Sequence, residues 1–418
     1  MEYFHSVTLD ASRCCGCTTC VKRCPTEAIR VKDGKATIIK ERCIDCGECI
    51  RVCPHRAKKA VFDKLSMLEK FEYNIAMPAP ALYGQFNNLD NVDYVLNGLL
   101  DIGFNDVFEV ARAAELVSEY TRNELAKPDC LKPLISSACP AILRLIRVRF
   151  PKLISHLITV KAPVDIAAMI ARKEAMEKTG LPSEKIGVFF ISPCPAKVTA
   201  MHQPLANNST QIDGVLAISD VYKPLLAAMN RIKQPKALSE CGLTGISWGY
   251  TGGEATAILS TRYLAADGME NVIKILEEIE DDKLTDLDFV ELGACASGCV
   301  GGCLTIENPY IARTRVRQLR KYKPVSCNRI KDFDLMMEEY AWDRSIEYDP
   351  VMQLDSDLQR AMQKMQEIQR IEKDLPGIDC SACGSPSCHA FAVDVVNGTA
   401  KMSDCLIVLK NRLKDIMD

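Results

Sequence analysis

The sequence predicts a multidomain α/β protein in which a parallel-sheet segment lies between two cysteine-rich ends. Its 418 residues are enough for two or three domains. From residue 74 to about residue 219, short apolar runs alternate with segments whose apolar residues recur at helical spacing. Alternating strands and helices are typical of a parallel sheet, whose functional groups lie on loops beyond the carboxyl ends of its strands.

The overall composition excludes several classes of partner. A net charge of -3 and a pI near 6.1 give no electrostatic reason to bind nucleic acid or an anionic membrane. The chain contains no apolar run of about eighteen residues or more. Its first residues also lack the basic start and apolar stretch of a signal peptide. We therefore expect a cytoplasmic protein with neither nucleic acid nor a membrane as partner.

The cysteine count points to metal. An odd number of cysteines, 21, argues against a disulfide framework, because the cytosol keeps thiols reduced. Two segments near the start both have the spacing C-x2-C-x2-C-x3-C-P, in which the fourth cysteine ligates the other of two [4Fe–4S] clusters. The predicted ligands of site 1 are Cys14, Cys17, Cys20 and Cys53. The predicted ligands of site 2 are Cys43, Cys46, Cys49 and Cys24.

The segment 1–60 resembles two-cluster ferredoxins throughout, which implies an α+β ferredoxin-like domain. Cys15 is left over by this assignment. Zinc is the alternative, because C-x2-C pairs also bind that ion, but two complete runs of four cysteines favour cubanes.

The C-terminal segment 375–418 is predicted to be a small helical domain with a third cubane, site 3. Its candidate ligands have the spacing C-x2-C-x4-C-x16-C and are Cys380, Cys383, Cys388 and Cys405. The segment resembles a small [4Fe–4S] domain found appended to several redox and corrinoid proteins, although zinc competes more seriously here.

The preceding segment 351–374 is predicted to be a linker helix. Its apolar stripe is formed by Leu358, Met362, Met365 and Ile368. The stripe fits either a helix lying on the main domain, which is favoured, or a coiled-coil seam that would make a homo-oligomer.

Three strands of the middle segment run directly into cysteine loops. The predicted strands are 74–77, 107–110, 134–137, 186–191, 215–218 and 287–292, and 164–177 is a predicted helix. The cysteines that follow three of these strands are Cys139, Cys194, Cys295 and Cys299, with Cys303 in a glycine-rich stretch behind them. Cysteines from three distant loops, each after a strand, predict a buried [4Fe–4S] cluster, which we call the central site.

At these loops the sequence resembles the [FeFe]-hydrogenases. The family signatures, approximately T-S-C-C-P, M-P-C-x-x-K and M-A-C-P-x-G-C-x-x-G-G-G, match residues 136–140, 192–197 and 293–303. Segments 103–109 and 249–253 also have counterparts, so the resemblance covers about residues 74–321. It implies a domain over 61–350 with two doubly wound parallel-sheet lobes and the active site, the H-cluster, in the cleft between them.

The resemblance also implies roles for individual residues. Cys139, Cys194 and Cys295 would ligate the cubane of the H-cluster. Cys299 would bridge that cubane to a diiron unit bearing CO, cyanide and a bridging dithiolate. Lys197 would donate a charge-assisted hydrogen bond to an iron-bound cyanide, whereas the alternative for this residue is an exposed loop lysine.

Several positions depart from the family pattern. The proton-delivering cysteine of the family is Ala138 here, and the relay serine is Ile158, and neither side chain can carry a proton. Ser192 and Gly293 replace two methionines. Cys303 lies four residues beyond Cys299, where packing against the cubane is favoured over a chemical role as a proton carrier. These departures are similar to those of a divergent, sensory branch of the family.

The expected function is therefore slow, reversible H2 oxidation and proton reduction by an H2 or redox sensor. Electrons would pass through the accessory clusters to a ferredoxin or a signalling protein. Two alternatives stay open: an electron-transfer subunit with cubanes only, and a non-enzymatic relative of the iron–sulfur assembly type.

Overall fold

The computed structural model describes residues 4–330 and 338–417. The strands, numbered β1 to β11, are Val7–Leu9, Ile29–Lys32, Lys35–Ile38, Lys58–Ala60, Tyr73–Pro78, Asp106–Val107, Leu134–Ile135, Ile186–Ser192, Gly214–Ala217, Tyr263–Asp267 and Phe289–Gly293. The helices, numbered α1 to α15, are Thr19–Lys22, Glu48–Arg51, Asp93–Asp101, Val110–Leu125, Pro140–Arg149, Pro163–Thr179, Pro195–His202, Ile218–Met229, Leu243–Ser247, Gly253–Ala257, Met269–Glu280, Pro309–Leu319, Leu358–Asp374, Cys388–Val396 and Leu406–Met417.

The chain divides into two compact units. One unit is Val61–Glu347, and the other combines Met1–Ala60 with Tyr348–Asp418. None of the helices described in either unit is long and apolar enough to cross a membrane.

The larger unit contains two parallel sheets. One has the strand order β6-β5-β8-β9, and the other has the order β10-β11-β7. Every residue of β8 is buried, which explains why the sequence shows a continuous apolar run there instead of an alternating pattern. The predicted α/β class with parallel sheets and strand–helix alternation is confirmed.

Three strands differ from their predictions. The run 107–110 contributes only Val107, in the strand Asp106–Val107, because helix α4 already begins at Val110. The run 134–137 forms a strand only over Leu134–Ile135. Strand β10, Tyr263–Asp267, was not predicted. It lies at the edge of its sheet, all of its residues are only partly buried, and the run contains an acid, so it lacks a strong apolar signal.

The smaller unit consists of short antiparallel pairs and the C-terminal helices. Strand β1 pairs with β4, and β2 pairs with β3 in a hairpin. Helix α13 begins at Leu358 and not at residue 351, and its buried Ile368 and Ile371 pack in one cluster with Phe391 of α14. This helix is therefore part of the C-terminal core, whereas the sequence suggested a spacer.

Candidate metal centres

The four cysteines predicted for site 1 line one cavity of about 340 Å³. Cys15 lines the same cavity, and its thiol lies within 4.8 Å of ligand atoms of Cys17 and His55. Lys58 also lines it: this residue is only 2% exposed, and its Nζ donates no hydrogen bond to any residue that the structure describes. A buried ammonium without a protein acceptor fits a cavity that holds an anionic thiolate-ligated cluster.

The four cysteines of site 2 line a second cavity, of about 350 Å³. Burial raises the pKa of Cys46 and of Cys43, and the nearby Asp45 carboxylate raises that of Cys43 further. Asp45 is 1% exposed and accepts a hydrogen bond from the Val7 amide at 2.9 Å, while its second oxygen lies 2.8 Å from His5 Nδ1. Thiols so reluctant to ionise become thiolate ligands only when a cation is bound among them.

The backbone repeats one device at both sites. The Ala28 amide donates to Cys24 Sγ at 3.2 Å, and the Ala57 amide donates to Cys53 Sγ at 3.2 Å. In each case the amide lies four residues after the cysteine of a Cys-Pro pair. Amide donors aimed at sulfur stabilise thiolates and tune the potential of a cluster.

The candidate ligands of site 3 line a third cavity, again of about 350 Å³. Cys388 begins helix α14, whose first turn is capped by Ser387. The Cys388 amide donates to Asp379 Oδ1 at 2.6 Å. Cys405 is buried in the core shared by α13 and α14. As at sites 1 and 2, all four cysteines line a single cavity, so they fit the same kind of cluster.

The central site gathers loops from both parallel sheets. Cys139 and Cys194 are each the last extended residue before a helix that begins with proline, at Pro140 and Pro195. Proline is favoured at the first helical position because its fixed φ suits the helix and its missing N–H would have had no partner. The Cys-Pro pair therefore holds each thiol at the junction between strand and helix.

Glycines bring the third loop close to the others. Gly298 has φ +83°, and a Cβ there would lie 2.5 Å from the Thr251 amide nitrogen. At Gly302 a Cβ would lie 2.2 Å from the Pro193 carbonyl oxygen. Only glycine permits this approach of the loop that carries Cys295 and Cys299.

The thiols of the central site share one electrostatic environment. Burial raises the pKa of Cys194 well above its usual value, and the neighbouring cysteines raise it further; these are Cys295, Cys139, Cys303 and Cys299. Cys299 itself is exposed; desolvation by its neighbours, followed by Cys139 and Cys295, raises its pKa, while the Lys197 charge opposes the shift. Such a set of thiols can ionise together only around cationic metal, so these residues fit an iron–sulfur cluster.

A larger cavity of about 640 Å³ adjoins these loops. Its lining includes Ala138, Lys197, Asp165 and Asn207. Burial raises the pKa of Asp165, and the charge of Lys197 lowers it in part. Lys197 thus faces a cavity beside the thiols, which fits a donor to an anionic group held there.

The other departures from the family pattern also have defined places. Ala138 presents a methyl group to the cavity, and Ile158 is 2% exposed beside strand β7, so neither supplies a polar path. Ser192 Oγ accepts from the Cys194 amide and donates to the Cys194 carbonyl, both at 3.1 Å, and so shapes the ligand loop. Cys303 acts on the pKa of Cys194, which is compatible with packing on the cubane side.

Sequence reasoning missed two acids, of which Glu254 is buried and Glu291 is partly buried. Glu254 is 6% exposed, and Ser136 Oγ lies 2.8 and 2.7 Å from its two carboxylate oxygens. Glu291 accepts from the amides of Gly252 and Ala255, at 2.9 and 2.8 Å. Those two amides flank Glu254, so the two acids are held by one short segment.

The pKa values of both acids are raised. Burial and the charge of Glu291 raise the pKa of Glu254, against the opposing effects of Ser136 and Lys197. Burial raises the pKa of Glu291 to about 7, although its two amide donors lower it. A signal was present for each: Glu254 directly follows the segment 249–253 that resembles the family, and Glu291 interrupts an apolar strand.

Family comparisons agree with these sites. The family model described as "Iron only hydrogenase large subunit, C-terminal domain" matches residues 72–264 and 249–303. A "4Fe-4S dicluster domain" matches residues 6–54, which include all eight candidate ligands of sites 1 and 2. A "Putative Fe-S cluster" family matches residues 375–407, which include all four cysteines of site 3.

The relatives are hydrogenases and iron–sulfur assembly factors. The periplasmic [Fe] hydrogenase large subunit of Nitratidesulfovibrio vulgaris is 28% identical, over 64% of this chain and 70% of that protein. The NADP-reducing hydrogenase subunit HndD of Solidesulfovibrio fructosivorans is 26% identical, over 48% of this chain and 43% of that one. A probable cytosolic Fe-S cluster assembly factor of Drosophila melanogaster is 22% identical, over 57% and 59%. The chain thus spans less than two thirds of the latter two relatives.

Solved structures share the fold. An [FeFe]-hydrogenase structure concerned with oxygen inactivation of the H cluster has a TM-score of 0.50 at 17% identity, covering 66% of this chain and 92% of that one. The apo [FeFe]-hydrogenase HydA1 from Chlamydomonas reinhardtii, in a variant form, has a TM-score of 0.50 at 16% identity over the same shares.

The first family model spans residues 72–303, which is more than half of the 418 residues. That match includes every loop that carries a thiol of the central site. The chain therefore belongs to the iron-only hydrogenase large-subunit family, and it is an [FeFe]-hydrogenase-like iron–sulfur protein.

Proposed function

We propose that the chain holds an H-cluster and catalyses reversible H2 oxidation and proton reduction, slowly, as an H2 or redox sensor in the cytoplasm. The observation that carries this proposal is the convergence of three strand-end cysteine loops beside a cavity that Lys197 faces. A cubane alone would not need the lysine.

The ligand roles are those that the resemblance to the family implies. Cys139, Cys194 and Cys295 would hold the cubane, and Cys299 would hold the diiron unit beside it. When bound, that unit supplies the redox-active metal that H2 chemistry requires. Lys197 donates a hydrogen bond to an anionic ligand in the cavity, and a charge-assisted bond away from water is stronger than a neutral one. The same ammonium orients the bound unit.

Protons need another carrier than the one the family uses, because Ala138 has no titratable group. We assign this role to Glu254 and Glu291. Glu254 is buried and Glu291 is partly buried, and a pKa of about 7 at Glu291 lets that carboxyl gain and lose a proton near neutral pH. The Ser136 hydroxyl, bound to Glu254 and two residues before Ala138, links the acid to the cavity wall.

Three accessory cubanes, at sites 1, 2 and 3, would carry the electrons to a ferredoxin or a signalling protein. Slow turnover follows from the relay, because a path through two strongly held acids must separate charge in a buried region. A slow enzyme suits a sensor, since a sensor reports H2 without consuming much of it.

Infrared spectroscopy tests this proposal directly. The protein is reconstituted with iron and sulfide and then loaded with a synthetic diiron complex that bears CO and cyanide. We expect retained CO and cyanide bands and low but measurable H2 turnover in both directions. Absence of those bands, with iron present at the central cubane, would contradict the diiron assignment.

An iron–sulfur assembly role is the second candidate, supported by the similarity to the Drosophila assembly factors. Such a protein would release a cubane to an apo acceptor and hold no diiron unit. An electron-transfer subunit would also lack the bands but would keep its cubanes when mixed with the acceptor. Iron transfer to an apo-ferredoxin therefore separates these two alternatives.

A further inference from the structure

The C-terminal domain is joined to the β2–β3 hairpin by a close backbone contact within the smaller unit. The Val31 amide donates to the Gly384 carbonyl at 2.9 Å. Gly384 has φ +87°, and a Cβ there would lie 1.9 Å from the Val31 carbonyl oxygen. No other residue type fits at this position without moving the two backbones apart.

A buried ion pair reinforces the contact. Arg30 Nε and Nη2 donate to the two oxygens of Asp394 at 2.6 and 3.2 Å, and Ser385 Oγ donates to the same carboxylate at 2.7 Å. Arg30 is 5% and Asp394 9% exposed. Breaking such a pair leaves an uncompensated buried charge, so the hairpin and the C-terminal domain hold a single relative position.

This contact lies between two of the cluster sites. Val31 lines the cavity of site 1, and Cys383, the residue before Gly384, lines the cavity of site 3. The lining of site 2 includes Ile29, the residue before Arg30, but not Val31. Among the residues that the structure describes, site 2 is therefore connected to the C-terminal domain through the Arg30–Asp394 side-chain pair and not through a direct backbone hydrogen bond. The walls of sites 1 and 3, by contrast, are connected by the Val31–Gly384 hydrogen bond of 2.9 Å and by the step from Gly384 to Cys383. Consecutive Cα atoms, such as those of Cys383 and Gly384, are about 3.8 Å apart.

Sites 1 and 2 also differ in buried charge. The ammonium of Lys58 faces site 1, whereas the Asp45 carboxylate lies beside site 2. Reduction adds one negative charge to a cubane. A nearby buried cation stabilises that charge, and the described lining of site 2 contains no lysine or arginine, so an electron is favoured at site 1 over site 2.

We propose that the site 1 cubane collects electrons under the influence of Lys58 and exchanges them with the site 3 cubane across the Val31–Gly384 contact. In each exchange one electron leaves a reduced [4Fe–4S]+ cluster, which becomes [4Fe–4S]2+, and an oxidised partner becomes [4Fe–4S]+. No bond forms and no proton moves. The C-terminal domain is then the redox output of the ferredoxin-like domain. The inference rests on the cluster assignments of the proposed function but not on the diiron unit.

Electron paramagnetic resonance of the full-length, reconstituted protein tests the pairing. After reduction with dithionite, we expect the two paramagnetic cubanes to couple across this wall contact and to give a split or broadened signal with faster spin relaxation. A Cys383→Ala/Cys388→Ala double variant, with iron counted to establish that only site 3 is lost, should return site 1 to an uncoupled signal. A Cys46→Ala variant, which disturbs site 2, should keep the coupling between sites 1 and 3.

A wild-type spectrum equal to the sum of isolated clusters would overturn the pairing, even if the double variant did not fold. Coupling to site 3 that depends on site 2 would overturn it too. Zinc instead of iron at site 3 would also overturn the pairing of sites 1 and 3. It would leave the central site and the H2 chemistry untouched, so failure of the pairing is distinguishable from failure of the proposed function.

A glycine pair provides the matched control for the contact itself. Gly384 and Gly377 both have positive φ, +87° and +65°, but a Cβ at Gly377 meets nothing within 4 Å. Gly384→Ala should weaken the coupling at unchanged iron content, and Gly377→Ala should not. Equal coupling in the two variants would contradict a route through this contact.

Lys58→Met tests the charge, because the two side chains have similar length. The reduction potential of site 1 should become more negative, while those of sites 2 and 3 stay constant. An unchanged site 1 potential would exclude Lys58 as the group that places the electron there.

Discussion

Glu291→Gln gives the sharpest test of how protons reach the active site. The pKa of Glu291 is about 7, so near neutral pH the carboxyl is about half protonated and can both accept and donate a proton. Glutamine keeps the shape but cannot carry a proton. Positioned acid–base groups typically contribute about 10²–10⁴-fold, and we expect a loss within that range in both directions of turnover.

The pH dependence should change as well. A proton donor acts in its protonated form, so the relay's contribution to H2 evolution should be present below pH of about 7 and should fall above it. In the Glu291→Gln variant this fall in H2 evolution with rising pH should disappear. Turnover is measured by gas chromatography on protein whose CO and cyanide bands have first been matched to wild type.

Stability provides a control on the same variant. Burial raises the pKa from 4.5 to about 7, so the acid form favours the folded chain, and a penalty develops as pH rises from about 4.5 to 7. At about 1.4 kcal/mol per unit that penalty is about 3 kcal/mol above pH 7. Glutamine removes this ionisation penalty. Its side-chain NH2 group cannot accept, however, so either the Gly252 or the Ala255 amide loses its acceptor, which lowers the free energy of unfolding by about 1–3 kcal/mol.

We therefore expect Glu291→Gln to be as stable as wild type at pH 8, or slightly more stable, and less stable at pH 5. Glu277→Gln, at a side chain 51% exposed, should change neither rate nor stability. Unaltered turnover in Glu291→Gln would refute the relay. A large loss of stability at pH 8 would instead refute the electrostatic reasoning.

The remaining predictions concern the metal content and the central site. Fully reconstituted protein should bind about sixteen irons before maturation, four in each of four cubanes, and a value of about twelve in a chemical iron assay would remove one of the four sites. Cys299→Ser should abolish the CO and cyanide bands after loading. Lys197→Ala should keep the central cubane but weaken retention of those bands, and unaltered bands would count against its role. Ala138→Cys should raise H2 turnover, whereas Cys303→Ala should change it little. A large loss of turnover in Cys303→Ala would instead indicate that Cys303 carries protons.

Local spacing was enough to group the accessory ligands. The two C-x2-C-x2-C-x3-C-P runs assign eight cysteines to two sites, and the structure gathers those same groups around two cavities. This works because three ligands of each cubane lie in one short loop, where loop geometry leaves few arrangements, and the Cys-Pro cysteine of the other run supplies the fourth. Their identity as iron ligands stays a prediction. The strands before the three cysteine loops were also readable, because strands buried on both faces form continuous apolar runs.

The buried charges were not readable from local patterns. Glu254, Glu291 and Lys58 are ordinary charged residues in the sequence, and most such residues are exposed. Whether they are withdrawn from water depends on chain segments far away, such as the loop with Ser136 that contacts Glu254 across 118 positions. The pKa shift of Glu291 exists only once that burial exists.

The docking of the C-terminal domain is decided in the same way. Spacing predicts a cluster between Cys380 and Cys405, but it contains no information on what that domain contacts. Arg30 and Asp394 are 364 positions apart, and the sequence around either residue does not predict which residue it pairs with. Only the folded chain brings them together. A buried ion pair and a backbone contact that needs Gly384 are properties of two surfaces, and a linear pattern describes only one of them at a time.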